Sequence, residues 1–187
     1  MKILLSAIAF SPDQGSEPGV GWAWAIELIK LGHEVHVITR DVEGRKESVN
    51  KACASLADKA LINVYYLDFY PQYGLELNNQ KLPHIRYYIW QVQAYLLAKK
   101  LNKNHNFDYA HHVTWVSARQ PSFLGLLGIP FIFGPVAGGE SAPIRLRKSF
   151  PLRGKLADGL RDIVNAWVKF SPLMRLTFDS AETIYVT

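Results

Sequence analysis

The stretch "KILLSAIAFSPDQGSEPGVGWAWAIELIKLGHEVHVITR", residues 2–40, decides the fold. Residues 2–10 form a near-continuous apolar run, the pattern of a strand buried on both faces. In "GWAWAIELIKLG" (21–32), Trp22, Ala25, Ile26 and Ile29 recur at helical spacing, and Gly32 stands where a helix ends. "HEVHVITR" (33–40) is again strand-like. A strand, a helix and a second strand in this order form a right-handed crossover between parallel strands.

The alternation continues along the chain. "ESVNKACASLADKA" reads as a helix and "LINVYYLDF" (61–69) as a third strand. Residues 70–83, "YPQYGLELNNQKLP", show no periodicity and read as a surface loop. "HIRYYIWQVQAYLLAKKLNKNH" is a helix with Ile85, Ile89, Val92 and Leu96 on one face. "FDYAHHVTW" is a fourth strand, "SFLGLLG" a short helix and "IPFIFGPVAGG" a fifth strand running into glycines. Residues from about 151 to 179 read as helical with a break at Ser171–Pro172, and "ETIYVT" as a sixth strand. The fold class expected is therefore α/β, a Rossmann-like doubly wound parallel sheet of at least six strands with helices on both faces. Residues 1–187 form a single domain. The last strand ends the chain without a cap or tail, so the expectation is of a fragment.

Totals narrow the function classes. Apolar residues make up 49% of the chain and charged residues 20%, an ordinary globular balance. One cysteine, Cys53, rules out an internal disulfide framework, and a small buried residue is its simplest reading. The apolar N-terminal run is too short to span a membrane and lacks a signal-peptide cleavage site, so a cytoplasmic location is expected. The net charge of +5 lies entirely in residues 140–178, which hold eight Lys or Arg against three Asp or Glu.

"GSEPGVGW" (15–22) raises the central question. Glycines between a first strand and its helix let backbone approach a phosphate, and a helix N-terminus supplies free N–H groups. The alternative is that they serve a tight turn and close helix packing. The G-x-x-x-G-x-G spacing resembles the loop of short-chain dehydrogenases, with Asp41 near a ribose-binding position and a Tyr95/Lys99 pair. Against that reading, "SPDQ" separates the strand from Gly15, Pro18 interrupts the loop, and the Tyr/Lys pair falls before the fourth strand.

Four strings, in order and spacing, resemble the N-terminal domain of family 4 (group 1) retaining glycosyltransferases of GT-B architecture. They are "GSEPGVGWAWAIELIKLGHEVHVITR", "FDYAHHVTW", "GIPFIFGPVAGGE" and "AETIYVT", and the likeness covers the whole chain. The resemblance implies an acceptor-binding half, with a nucleotide-sugar donor gripped by a C-terminal GT-B domain absent from this chain. It implies no metal and no cofactor in this domain. The expected partners are the nucleotide sugar, a glycan or lipid-linked acceptor, and that second domain; nucleic acid is not expected. It also implies site residues. Gly15, Ser16, Gly19 and Gly21 match the loop that faces donor phosphates and acceptor, and Glu17 either contacts a sugar hydroxyl or caps the helix. His111 or His112 is the expected catalytic histidine; adjacent strand residues point to opposite faces, so at most one faces the cleft. Trp115 and Arg119 line the same cleft or, for Trp115, the core. Gly138 and Gly139 shape the loop after the fifth strand, where Glu140 is an acceptor contact or a helix N-cap.

The basic block "IRLRKSFPLRGK" interleaves Arg145, Arg147, Lys148, Arg153 and Lys155 with apolar residues. Three readings stay open for it: contact with an anionic membrane surface, a solvated helix face, or a patch that steers an anionic sugar nucleotide.

Overall fold

A computed structural model describes residues 1–40, 45–67 and 83–186. The expected loop at 70–83 and the candidate ribose ligand Asp41 lie outside the described residues, apart from Pro83. The sheet is built from β1 (Lys2–Ser6), β2 (Glu34–Arg40), β3 (Ile62–Leu67), β4 (Tyr109–His112), β5 (Phe131–Val136) and β6 (Thr183–Val186). All six strands are parallel, in the order β3-β2-β1-β4-β5-β6. This is the doubly wound order in which the chain starts at the middle, winds outward to one edge and then to the other.

The helices are α1 (Ser16–Lys30), α2 (Arg45–Ala54), α3 (Pro83–His105), α4 (Ile144–Arg147), α5 (Leu152–Val168) and α6 (Pro172–Ser180). On one face of the sheet, Leu5, Val35, Val37 and Ile62 meet Ala25 and Ile29 of α1 and Val49 of α2. On the other, Leu4, Ile38, Ala110, Phe131 and Phe133 meet Tyr87, Trp90, Ala94, Ala98 and Leu101 of α3, with Phe178 of α6 packed beside them. Strand alternation makes this two-sided core: Leu4 and Leu5 are neighbours in sequence and belong to opposite layers.

Several expectations shift. β1 ends at Ser6, although residues 7–10 stay in the core: Ala7, Ile8 and Phe10 are buried in the turn beyond it. The short helix expected within 122–128 is a 3₁₀ turn, Leu124–Leu127. The stripe of Ile85, Val92 and Leu96 on α3 faces solvent, with Ile89 half-buried. The packed stripe is instead Tyr87, Trp90, Gln91, Ala94, Ala98 and Leu101, where two alanines let the helix come close and two aromatic rings fill the remaining space. Gly32 follows α1 at φ +80°; its N–H donates to Ile29 and that of His33 to Leu28, the paired bonds of a glycine-terminated helix.

At the N-terminal end of the strands, Glu34, His36 and His105 bring potential metal ligands within 4.8 Å of one another. His36 is buried, with Nε2 2.8 Å from Glu34 Oε1 and Nδ1 3.0 Å from the Tyr65 hydroxyl. Burial lowers the His36 pKa, and the hydrogen bond from His36 lowers that of Glu34.

Candidate functional site

β1 and β4 are adjacent and the chain leaves them toward opposite layers, so the position at which open α/β sheets form their ligand crevice lies beyond their carboxyl ends. Both walls of that crevice are tied together. Val113 N–H donates to the Ser6 carbonyl (3.0 Å) and Ala9 N–H to Thr114 Oγ1 (3.1 Å). The Trp115 N–H donates to Glu17 Oε2 (2.7 Å), joining the first turn of α1 to the β4 exit across 98 residues of sequence.

α1 begins at Ser16, five residues before the helical stretch first legible at Gly21. Pro18 is compatible with this early start because a first-turn residue needs no intrahelical N–H bond. The glycines thereby separate into two roles. A Cβ on Gly19 would lie 2.5 Å from the Gln14 carbonyl oxygen. One on Gly21 would lie 2.5 Å from that of Ala9 and 3.0 Å from the Thr114 methyl. Those two glycines let the exit loop of β1 lie directly on the helix. Gly15, the N-cap, faces open space and makes no side-chain cap bond. Pro18 having no N–H, the first-turn donors are Ser16 and Glu17, and the Glu17 carboxylate already complements the positive helix end.

Among the described residues, two of the three non-glycine residues with positive φ flank this crevice, Ser16 at +58° and Trp115 at +54°. Such backbone is costly for an L-residue and concentrates where a structure holds a functional group in place. Here it aims the half-exposed Trp115 indole, which stands edge-on to the Tyr87 ring at 5.3 Å.

The two histidines do point to opposite faces, and both are buried. His111 donates from Nε2 to the Gly134 carbonyl (2.8 Å) and stands edge-on to Trp24 at 4.7 Å. It lines a groove of about 370 Å³ on the sheet face, with Ile3, Trp24, Leu28, Ile132 and Tyr185. His112 donates from Nε2 to the Thr114 carbonyl (3.1 Å), beside the Tyr87 hydroxyl (3.1 Å). Burial pushes its pKa down to about 3 and lowers that of His111, so both rings are neutral. Each spends its Nε2 on a backbone carbonyl, and His112 thereby holds the loop that carries Trp115.

A second cluster gathers beyond β5. Gly138, at φ +85°, donates its N–H to Glu140 Oε2 (2.8 Å). The helix N-cap alternative for Glu140 does not hold, because α4 starts at Ile144 behind Pro143. Arg119 Nε donates to Asn165 Oδ1 (2.8 Å), and Asn165 Nδ2 donates to the Gly139 carbonyl (3.2 Å). Ser141 donates to Asp162 (2.7 Å). Gly139, Ser141, Asp162, Asn165 and Lys169 line a cavity of about 310 Å³. Asn165, Ser141, Asp162 and Tyr87 were not singled out from the sequence. They lie 21 to 46 residues from their partners, and Asp162 and Asn165 sit on α5, whose spacing pattern draws attention to its apolar side.

The basic block divides. Arg147 turns inward: Nε lies 2.7 Å from Asp158 Oδ2, and its terminal nitrogens bind Asp162. The Arg161 guanidinium binds the other oxygen of Asp158. Arg145, Lys148, Arg153 and Lys155 are exposed.

Against known proteins, neither any protein-family model nor any curated protein matches this chain.

Proposed function

We propose that this chain is the acceptor-side domain of a retaining glycosyltransferase. It takes a glycan or lipid-linked acceptor and works with a nucleotide-sugar donor held by a second domain of the same polypeptide, at the cytoplasmic face of a membrane. The observation that carries the reading is the pair at the β1/β4 crevice: a carboxylate, Glu17, fixed 2.7 Å from the backbone of a half-exposed indole, Trp115. A carboxylate that accepts from hydroxyl groups beside an aromatic face that covers C–H bonds is a sugar-binding chemistry. The cavity that Ser141, Asp162 and Asn165 share with Ala118, Ala166 and Val168 offers polar groups and apolar walls to a further sugar unit.

In this reading Glu17 and Trp115 hold the acceptor, with Arg119 and Asn165 fixing the neighbouring loop at Gly139. His112 is a positioning residue that acts through Thr114. Gly15, Ser16 and the N-terminus of α1 offer the remaining donors to an anionic group. The domain needs no metal and no nucleophile, since a leaving phosphate on the donor can take the acceptor's proton. Carbonyls of the chain itself crowd Gly19 and Gly21, which disfavours both a pyrophosphate of a dinucleotide and the donor phosphates at these two glycines and leaves Gly15 and Ser16 for an anionic group.

Reading the gene past Thr187 tests the two-domain part. A further ~150–200 residues of alternating strands and helices, carrying the paired-glutamate E-x7-E motif, is expected; a stop there would overturn it. In the resulting polypeptide, Glu17→Gln should lower the transfer rate by about 10- to 150-fold, the worth of one charge-assisted hydrogen bond. Unchanged transfer would remove Glu17 from the site.

A further inference from the structure

α5 is amphipathic in the inverse sense: its polar side packs on the domain and its apolar side faces out. Leu152, Leu156, Leu160, Ile163, Trp167 and, just beyond the helix, Phe170 are each between 62% and 76% exposed. At 100° per residue these six fall within one stripe about 80° wide, running along roughly 24 Å of helix. The opposite side carries Asp158, Arg161, Asp162 and Asn165, all buried or half-buried and engaged in the ion pairs and hydrogen bonds of the rim. Burying such a stripe in water's place is favourable, and large exposed apolar patches on a folded domain mark a docking surface.

We infer that the outer face of α5, together with α4, docks on the surface of an anionic lipid bilayer. Charge selects the occupant. The stripe is bordered by exposed Arg153 and Lys155 on α5, Arg145 and Lys148 before it, and Lys169 at its end. The two aspartates of this segment are both turned inward and neutralised by Arg147 and Arg161. A second copy of this chain would bring two such cationic rims together with no acid between them. An anionic interface accepts the leucines, isoleucine and aromatic rings at the acyl boundary and the cations at the headgroups. No helix among the described residues is long and apolar enough to cross a membrane, so the contact lies in the interface plane.

The docking stands without the transferase reading; what rests on that reading is its consequence. Asn165 and Asp162, on the inner side of the same helix, line the rim cavity. A docked α5 therefore holds the cavity about one helix diameter, roughly 10 Å, from the headgroups, within reach of an acceptor whose lipid stays in the bilayer.

The test is co-sedimentation of the polypeptide encoded by the whole reading frame with vesicles of phosphatidylcholine containing 30% phosphatidylglycerol, and with phosphatidylcholine alone, following tryptophan emission. Binding to the anionic vesicles is expected, weakened by 0.5 M salt, with a blue shift that Trp167→Phe diminishes. Leu156→Glu and Trp167→Glu should each reduce binding at least tenfold with unchanged circular dichroism, since both residues are mostly exposed. Arg153→Gln and Lys155→Gln, which alter no packing, should cost about fivefold each. Failure to bind anionic vesicles, binding indifferent to all four substitutions, or a dimer in sedimentation equilibrium that Leu156→Glu dissolves would each overturn the inference. None of these results bears on sugar transfer, which is read separately from nucleoside diphosphate release.

Discussion

Replacing Gly21 with alanine tests the packing of α1 on the exit loop of β1. Two effects oppose each other. Alanine is the better helix former by about 1 kcal/mol in a helix interior. The new methyl, however, would sit 2.5 Å from the Ala9 carbonyl oxygen, 3.0 Å from the Thr114 methyl and 3.3 Å from the Ala7 Cβ. The nearest obstacle is backbone, which cannot rotate away, so the overpacking cost falls in the upper part of its usual 1–3 kcal/mol range. The net expectation is a loss of about 1–2 kcal/mol, or roughly 2–8 °C in Tm for a domain of this size. Gly159→Ala is the control. Gly159 lies within α5 and nothing stands within 4 Å of its Cβ position. There the propensity acts alone, and stability should rise by about 0.5–1 kcal/mol. Urea unfolding of the two variants, with unchanged m-values, reads both numbers. Equal stabilisation by both would refute the close approach of helix and loop, and with it the packing role given to Gly21.

Other predictions follow from burial and charge. Ala94→Leu should destabilise by about 1–3 kcal/mol and Leu96→Ala by less than about 0.5; the reverse order in urea unfolding would mean that α3 packs by its other stripe. His112, with a folded pKa near 3 against about 6.5 unfolded, binds its proton more tightly when unfolded. Stability is then level above about pH 6.5 and falls as pH drops toward 3, by about 2 kcal/mol at pH 5 from this residue. The lowered pKa values of His36 and His111 act in the same direction. His112→Gln should reduce the loss between pH 7 and pH 5, and an unchanged pH slope would mean the ring is not buried neutral.

The sheet was legible because its signal is local. Each apolar run, helical repeat and intervening turn lies within a dozen residues, and right-handed crossovers between parallel strands leave few orders to choose from. Faces were harder to read. Periodicity locates a stripe without saying what lies under it. On α3 the stripe of Ile85, Val92 and Leu96 is the more aliphatic one, yet the sheet is met by rings and alanines. On α5 a regular apolar stripe points away from the domain altogether.

The site was legible in outline only. The glycines announced a close approach, but Gly19 and Gly21 receive the chain's own carbonyls. Glu17 stood out by position, whereas its partner Trp115 is set by a left-handed backbone that no spacing rule reports. The histidine pair marked the right strand end and the two faces; their hydrogen bonds to Gly134 and Thr114 follow from strand geometry that only three dimensions supply.

The most direct test of the central claim is to incubate the polypeptide encoded by the whole reading frame with uridine-, guanosine- and adenosine-diphosphate sugars and candidate glycan or lipid-linked acceptors. Proton NMR of the new linkage then gives its anomeric configuration. The account predicts release of nucleoside diphosphate and a product whose anomeric configuration matches that of the donor. An inverted product would contradict retention, and the absence of transfer from every donor, alongside reduction of a nicotinamide dinucleotide, would contradict the account as a whole.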